Sequence, residues 1–264
     1  MSPKSTLESV QTREGDRVVF DRHGAVGAPA ALFIQGAGPT RADDPVTAET
    51  AQLLAARGFQ ALVHDRIGRG ESPAAGPIPL ERELDAIGAL AESAAGPVVL
   101  VGHSSGCAIA MLAASRVERL AGLVLWEAPL GQFPDGAPAW WAEVERHLDA
   151  GELEQAVAAY MVDMPPEWIE ELQRSPDYPG LVQSWIPDGE ALAAVESRGA
   201  AASIGELEVP VLAVVGAETF PGMGAAADAI AAAAPHGLSE ELAGAWHSWD
   251  PEAMSARLAV LLAG

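Results

Sequence analysis

The sequence predicts an α/β protein: a mostly parallel sheet of about eight strands, with helices covering both faces. Three observations lead there. Short, wholly apolar runs alternate with helical stretches, the pattern of strands buried on two sides. The alternation stops between residues 129 and 201, where only helical stretches occur, and then resumes. An apolar run over residues 98–101 enters the turn Gly102-His103-Ser104-Ser105-Gly106 and leaves it as an Ala-rich helix.

The elements follow in order. Residues 7–11 and 17–21 form two short strands joined by the turn Glu14-Gly15-Asp16. Residues 30–34 are a fully apolar strand ending in Gln35-Gly36-Ala37-Gly38. Residues 47–57 read as a helix closed by Gly58, and residues 60–64 as the next strand. That strand leads into the Gly-rich loop Asp65-Arg66-Ile67-Gly68-Arg69-Gly70-Glu71-Ser72. Residues 80–92 are an amphipathic helix with Leu84, Ile87 and Leu90 or Ala91 on one side. The strand at 98–101, the serine turn and its helix come next, then a buried strand at 120–126. Helical stretches near 139–150, 152–160, 167–174 and 190–200, separated by Pro-containing turns, follow this sixth strand. They read as a helical cap inserted at 129–201, which divides the core into residues 1–128 and 202–264. A strand at 211–215, a helix at 223–234, a last strand at 238–242 and a closing helix at 251–262 complete the chain.

Composition bounds the partners. The chain has 264 residues, 49% of them hydrophobic, enough for a sizeable core. Its formal charge of −22 repels nucleic acid and anionic membrane surfaces. A single cysteine, Cys107, excludes an internal disulfide framework and fits a reducing compartment. Its place one helical turn past Ser104 suits a small packing residue. The start Met1-Ser2-Pro3-Lys4 is polar, unlike a signal peptide, and no apolar run reaches the ~18 residues of a membrane span. The expectation is a cytoplasmic monomer or homodimer that takes a small-molecule substrate, with no nucleic-acid or membrane partner. There is no H-E-x-x-H, no paired cysteine and no G-x-G-x-x-G after a strand, so neither metal nor cofactor is expected.

Strand, G-x-S-x-G turn and helix together form a nucleophile elbow, which lifts the Ser104 hydroxyl clear of the sheet. The helix N-terminus lies beneath the place where an oxyanion would form. A serine nucleophile needs a base, a group to orient it and an oxyanion hole. In this topology the parts follow in the order serine, acid, histidine. Of six histidines, His247 alone lies after the last strand, on the loop Gly244-Ala245-Trp246-His247-Ser248-Trp249. Glu127 ends the strand at 120–126 on the side where Ser104 emerges. It follows apolar residues, so an unpaired charge there would be costly and a histidine partner would relieve it. Glu127 is the preferred acid and Glu218 the alternative. A bond tying the inserted helices to the core would also account for Glu127. The oxyanion donors are the N–H groups of Ser105 and, from the Gly-rich turn, Ala37.

These residues resemble the α/β-hydrolase fold superfamily over essentially the full chain. The resemblance rests on Gly36-Ala37-Gly38, the Asp-Arg-x-Gly-x-Gly loop from Asp65, the His-Ser-Ser-Gly elbow, Trp126-Glu127-Ala128-Pro129 and His247. Together they are similar to an actinobacterial-type branch of small serine hydrolases. Two departures stand out. Many relatives have His-Gly where this chain has Gln35-Gly36. A position often used for the acid, three residues past the Gly that ends the strand after the insertion, is Thr219 here. That either moves the acid to Glu127 or signals weakened hydrolysis.

A serine at the elbow, in place of the carboxylate of dehalogenases and epoxide hydrolases, favours attack on a carbonyl. Hydrolysis of a carboxylic ester or lactone is therefore the first expectation. The resemblance also implies two others: a non-hydrolytic enzyme (C–C cleavage, lyase, perhydrolase or cyclisation chemistry) and a catalytically weak ligand receptor. Trp140, Trp141, Trp168 and Trp185 fall in the insertion, while Trp126, Trp246 and Trp249 flank the acid and base. Trp126, Trp140, Trp141, Trp168, Trp185 and Trp246 are candidate substrate-lining residues for an apolar or aromatic substrate. The same tryptophans would also serve to pack cap helices onto the core.

Overall fold

A computed structural model describes residues 5–264, except 163, 165, 176 and 177 and the side chains of 168 and 171. The polar start Met1-Ser2-Pro3-Lys4 lies outside the described residues. The strands are β1 (Thr6–Gln11), β2 (Arg17–His23), β3 (Ala30–Ile34), β4 (Gln60–His64), β5 (Val98–His103), β6 (Leu120–Trp126), β7 (Val211–Glu218), β8 (Gly237–Ala245) and β9 (Ser248–Trp249). They form one sheet in the order β1-β2-β4-β3-β5-β6-β7-β8-β9. Neighbours from β4 to β8 run parallel, and only the edges β1–β2, β2–β4 and β8–β9 are antiparallel. The strand beyond the expected eight is the two-residue β9, too short for any periodic signal.

Side-chain alternation along the strands sorts the core into two layers. Ala30, Leu32, Ile34, Val98 and Leu100 face helices α2 (Leu80–Ala94), α3 (Gly106–Ala113) and α10 (Met223–Ala232). Ala31, Phe33, Val99, Val101 and Val124 face α1 (Pro45–Ala56) and α11 (Pro251–Leu262). Burial on both sides is why β3, β4 and most of β5 contain no alternating polar face.

Helices α4 (Ala137–Asp149), α5 (Leu153–Tyr160), α6 (Pro166–Gln173), α7 (Tyr178–Gln183), α8 (Ile186–Arg198) and α9 (Ala201–Ile204) lie between β6 and β7. The described residues there form no strand. Helices α4 and α8 start earlier than their apolar spacing predicts, because Pro138 and Pro187 sit in their first turns. A proline there forfeits no intrahelical bond, so it opens the helix rather than breaking it. Helix α8 packs on α2 and α3, and on α4 through Gly189. A Cβ at Gly189 would lie 1.9 Å from the Trp141 ring, so only glycine seats that indole. Among the described residues, no helix is long and apolar enough to cross a membrane.

Candidate active site

Strand β5 ends in the serine turn. Ser104 has φ 55°, in the left-handed region that non-glycine residues seldom adopt. Its N–H donates to the Trp126 carbonyl at 2.9 Å, and its own carbonyl accepts from Cys107 N–H at 3.0 Å. A Cβ on Gly106 would come within 2.3 Å of the Ile34 carbonyl oxygen. The close approach of β3 to the turn therefore requires glycine there. Ser104 remains partly exposed. Cys107, by contrast, is fully buried, and burial together with the Glu127 carboxylate raises its thiol far above the usual range. It packs beneath the turn and donates weakly to the Trp126 carbonyl at 3.3 Å.

The neighbouring strand β6 delivers Glu127, with φ 47° and 1% exposure. Its Oε2 accepts from His247 Nδ1 at 2.6 Å and its Oε1 from Gly216 N–H at 3.0 Å. Burial disfavours the carboxylate. Hydrogen bonds from His247 and the Gly216 amide outweigh it and hold Glu127 below the ordinary glutamate range. Thr219, at the position where the resemblance often places the acid, lies near that carboxylate and cannot itself carry the charge. The Glu218 side chain is exposed, and its backbone carbonyl accepts from Trp246 N–H at 3.0 Å.

His247 sits on the loop between β8 and β9, with φ 73°. A carboxylate accepts only, so Nδ1 carries the proton and Nε2 presents a lone pair. The backbone is held as firmly as the ring. His103 Nε2–H donates to the His247 carbonyl at 2.8 Å and Trp126 Nε1–H to the same oxygen at 3.3 Å. The His103 and His247 rings lie 4.7 Å apart. Burial, and then the nearby His247, push His103 down to about 4, so it stays a neutral donor. Nothing in the sequence marked His103 as more than an elbow residue, since its partner lies 144 positions away.

Ala37 and Ser105 meet behind the serine. Ser105 is the N-cap residue of α3, so its amide is among the donors a helix leaves unpaired. Ala37 N–H donates to Ser105 Oγ at 3.1 Å, and Ser105 Oγ donates to Asp188 Oδ1 at 2.7 Å. Asp188, in the first turn of α8, was not singled out by sequence, because one acidic residue opening a helix is ordinary.

The tryptophans divide. Trp126 is fully buried against Trp249, and Trp141 is buried against Gly189. Phe133 stacks on Trp140 at 4.3 Å, Trp140 tilts onto Tyr160 at 5.0 Å, and Tyr160 stacks on Trp185 at 4.5 Å. Ala37 packs against the cluster that contains Trp185. On the other side, Trp246 is 69% exposed, and Phe220 lies edge-on to it at 6.4 Å and to His247 at 6.0 Å. The Trp168 side chain lies outside the described residues. Tyr160 and Phe220 escaped sequence reading because tertiary contacts alone bring them here. Among the described residues, no group of three or more His, Cys, Asp or Glu is placed to hold a metal ion.

Residues 23–260 match the model of the α/β hydrolase family. The chain belongs to the α/β hydrolase family. This α/β hydrolase is 48% identical over 63 residues to lipase LipV of Mycobacterium tuberculosis. That match spans 23% of the chain and 24% of LipV, so it covers about a quarter of the curated relative. An α/β hydrolase from Sphaerobacter thermophilus superposes with a TM-score of 0.76 at 25% identity, over 96% of this chain and 99% of that one. A thermophilic esterase from Thermogutta terrifontis gives 0.59 at 22% identity, over 98% and 96%. The last likeness speaks to fold alone.

Proposed function

We propose that this α/β hydrolase cleaves a carboxylic ester or lactone of an apolar or aromatic small molecule through an acyl-enzyme. One observation carries the reading. A serine on a strained elbow follows β5, beside the end of β6, where a buried glutamate accepts from His247 Nδ1 at 2.6 Å. Ser104 Oγ attacks the carbonyl carbon as His247 Nε2 takes its proton. The Ala37 and Ser105 amides hold the oxyanion. The intermediate collapses, breaking the C–O bond, and His247 gives the proton to the departing alkoxide. Water then attacks the acyl-enzyme by the same route and restores Ser104. Glu127 stabilises the imidazolium that forms in each half. Residues 129–201 act as a cap, and its ring ladder favours a flat apolar acyl or alcohol group.

The test pairs Ser104→Ala with labelling by a fluorophosphonate. Wild-type protein should label stoichiometrically at Ser104 and turn over short p-nitrophenyl esters. Ser104→Ala should lose at least ~10³-fold in kcat with little change in Tm. Turnover retained in a clean Ser104→Ala preparation rules out the mechanism. A folded wild-type protein that does not label favours a ligand receptor. Preference for acetyl over aromatic acyl groups counts against the proposed substrate class.

A further inference from the structure

The Gly-rich loop after β4 sends Arg66 and Arg69 inward, and both side chains are fully buried. Arg66 Nη1 donates to the Gln35 carbonyl at 3.1 Å and lies 3.5 Å from that of Gly36. Arg69 Nη1 donates to the Gly36 carbonyl at 2.6 Å. That carbonyl and the Ala37 N–H belong to one planar peptide unit. At its other edge, Ala37 N–H reaches Ser105 Oγ, which donates to Asp188 Oδ1. Asp188, itself unexposed, accepts from Arg66 at 2.7 Å and from Arg69 at 3.2 Å. The groups close a ring of hydrogen bonds around the Gly36–Ala37 peptide.

Three physical points give the ring a purpose. A peptide unit turns as a plane, so clamping its carbonyl also aims its N–H. Donors on a carbonyl polarise the amide, which strengthens its N–H as a donor. Buried ion clusters are costly, and apolar residues of like volume would stabilise the fold as well or better. We infer that Arg66, Arg69 and Asp188 are positioning residues of the oxyanion hole, holding the Gly36–Ala37 peptide so that its N–H is preset for a substrate acyl oxygen. This rests on the ester-hydrolase reading of Ser104. Ser105 Oγ is the resting partner of the Ala37 amide, which exchanges it for the substrate oxygen during turnover. Because Asp188 comes from α8, the oxyanion donor is set only when the inserted helices are docked.

The experiment compares Arg69→Lys, which keeps a charge but loses the forked geometry, with Asp188→Asn, which keeps the shape and loses the charge. Activity is expressed per fluorophosphonate-titrated site. Both variants should lose about 10- to 100-fold in kcat, with KM changed less than about threefold. A boronic-acid mimic of the tetrahedral state should bind more weakly by the same factor. The pH profile should keep its shape, since His247 and Glu127 are untouched. Amide exchange on the 15N-labelled full chain should quicken at least ~10-fold at Ala37 relative to the sheet amide of Leu32. Wild-type kcat per titrated site, with only Tm lowered, overturns the inference. If Arg69→Lys does not fold, Asp188→Asn decides alone. If the wild-type protein neither labels nor hydrolyses esters, the ester-hydrolase reading has failed. Ala37 exchange still decides in that case, and an unchanged rate in the variants overturns the positioning role.

Discussion

Four residues at the site, Ser104, Glu127, Trp246 and His247, are non-glycines with positive φ, and outside it Ala95 shares the property. Strain of this kind persists only where surrounding bonds enforce it. Here the Trp126 carbonyl holds Ser104, the Val214 carbonyl accepts from Glu127 N–H at 2.8 Å, and His103 with Trp126 pins His247. In the proposed mechanism, the carboxylate at His247 stabilises the imidazolium. Glu127→Gln keeps shape and bulk but removes the charge that stabilises an imidazolium. It should lower kcat by ~10³- to 10⁴-fold with Ser104 still in place. Glu218→Gln, on an exposed side chain, should leave kcat within about twofold. Steady-state kinetics on one p-nitrophenyl ester checks both, and the reverse ranking would move the acid to Glu218. Sequence alone left the two open, because choosing between them needs the strand-end register. Glu127 was legible as the better candidate through its apolar flank, which makes a lone charge expensive.

At the scale of elements, strands were read more sharply than helices. Gln60–His64 and Leu120–Trp126 fall on the expected residues because a strand buried on both faces is bounded by the first polar or turn residue at each end. The inserted helices were less legible. Pro138 and Pro187 look like breakers, and α7 and α9 are too short for a period to show. The elbow is the element whose geometry is most tightly fixed. Gly106→Ala would drive a Cβ into the Ile34 carbonyl, and backbone cannot yield as a side-chain tip does. The expected cost is about 1–3 kcal/mol. At the size of this chain that lowers Tm by roughly 2–5 °C. Activity should fall further than stability, because the shift separates Ser104 from the Gln35–Ala37 turn. Calorimetry and kcat on the same preparation test this. A Gly106→Ala variant with unchanged Tm would show that β3 does not confine the turn.

For the whole molecule, a mostly parallel sheet covered by helices on both faces follows from patterns in the chain, while the strand order comes from the structure. The buried charges do not. Arg66 and Asp188 are 122 positions apart, and nothing local announces that they meet. The same is true of the histidines that set the response to acid. Burial, and then Arg66, push His64 down to about 3. Burial and His247 push His103 to about 4, and burial lowers His23 as well. Unfolding returns each to its ordinary value near ~6.5. A base whose folded pKa is depressed lets the unfolded chain bind protons that the folded chain refuses. Stability is then complete above pH ~6.5 and is lost as pH falls from there towards about 3. For fully buried His64 the loss is on the order of 5 kcal/mol across that window. The formal charge of −22 works the other way, since protonating carboxylates relieves repulsion. Salt separates the two, because it screens surface repulsion but not a buried imidazole. At about 0.15 M salt, Tm should therefore be level above pH ~7 and fall steadily from pH ~6.5 to 4. His64→Gln, which cannot titrate, should descend less steeply over the same range. If Tm rises on acidification from pH ~7 to 5 at that ionic strength, repulsion outweighs the histidines and the buried neutral imidazoles do not govern acid stability.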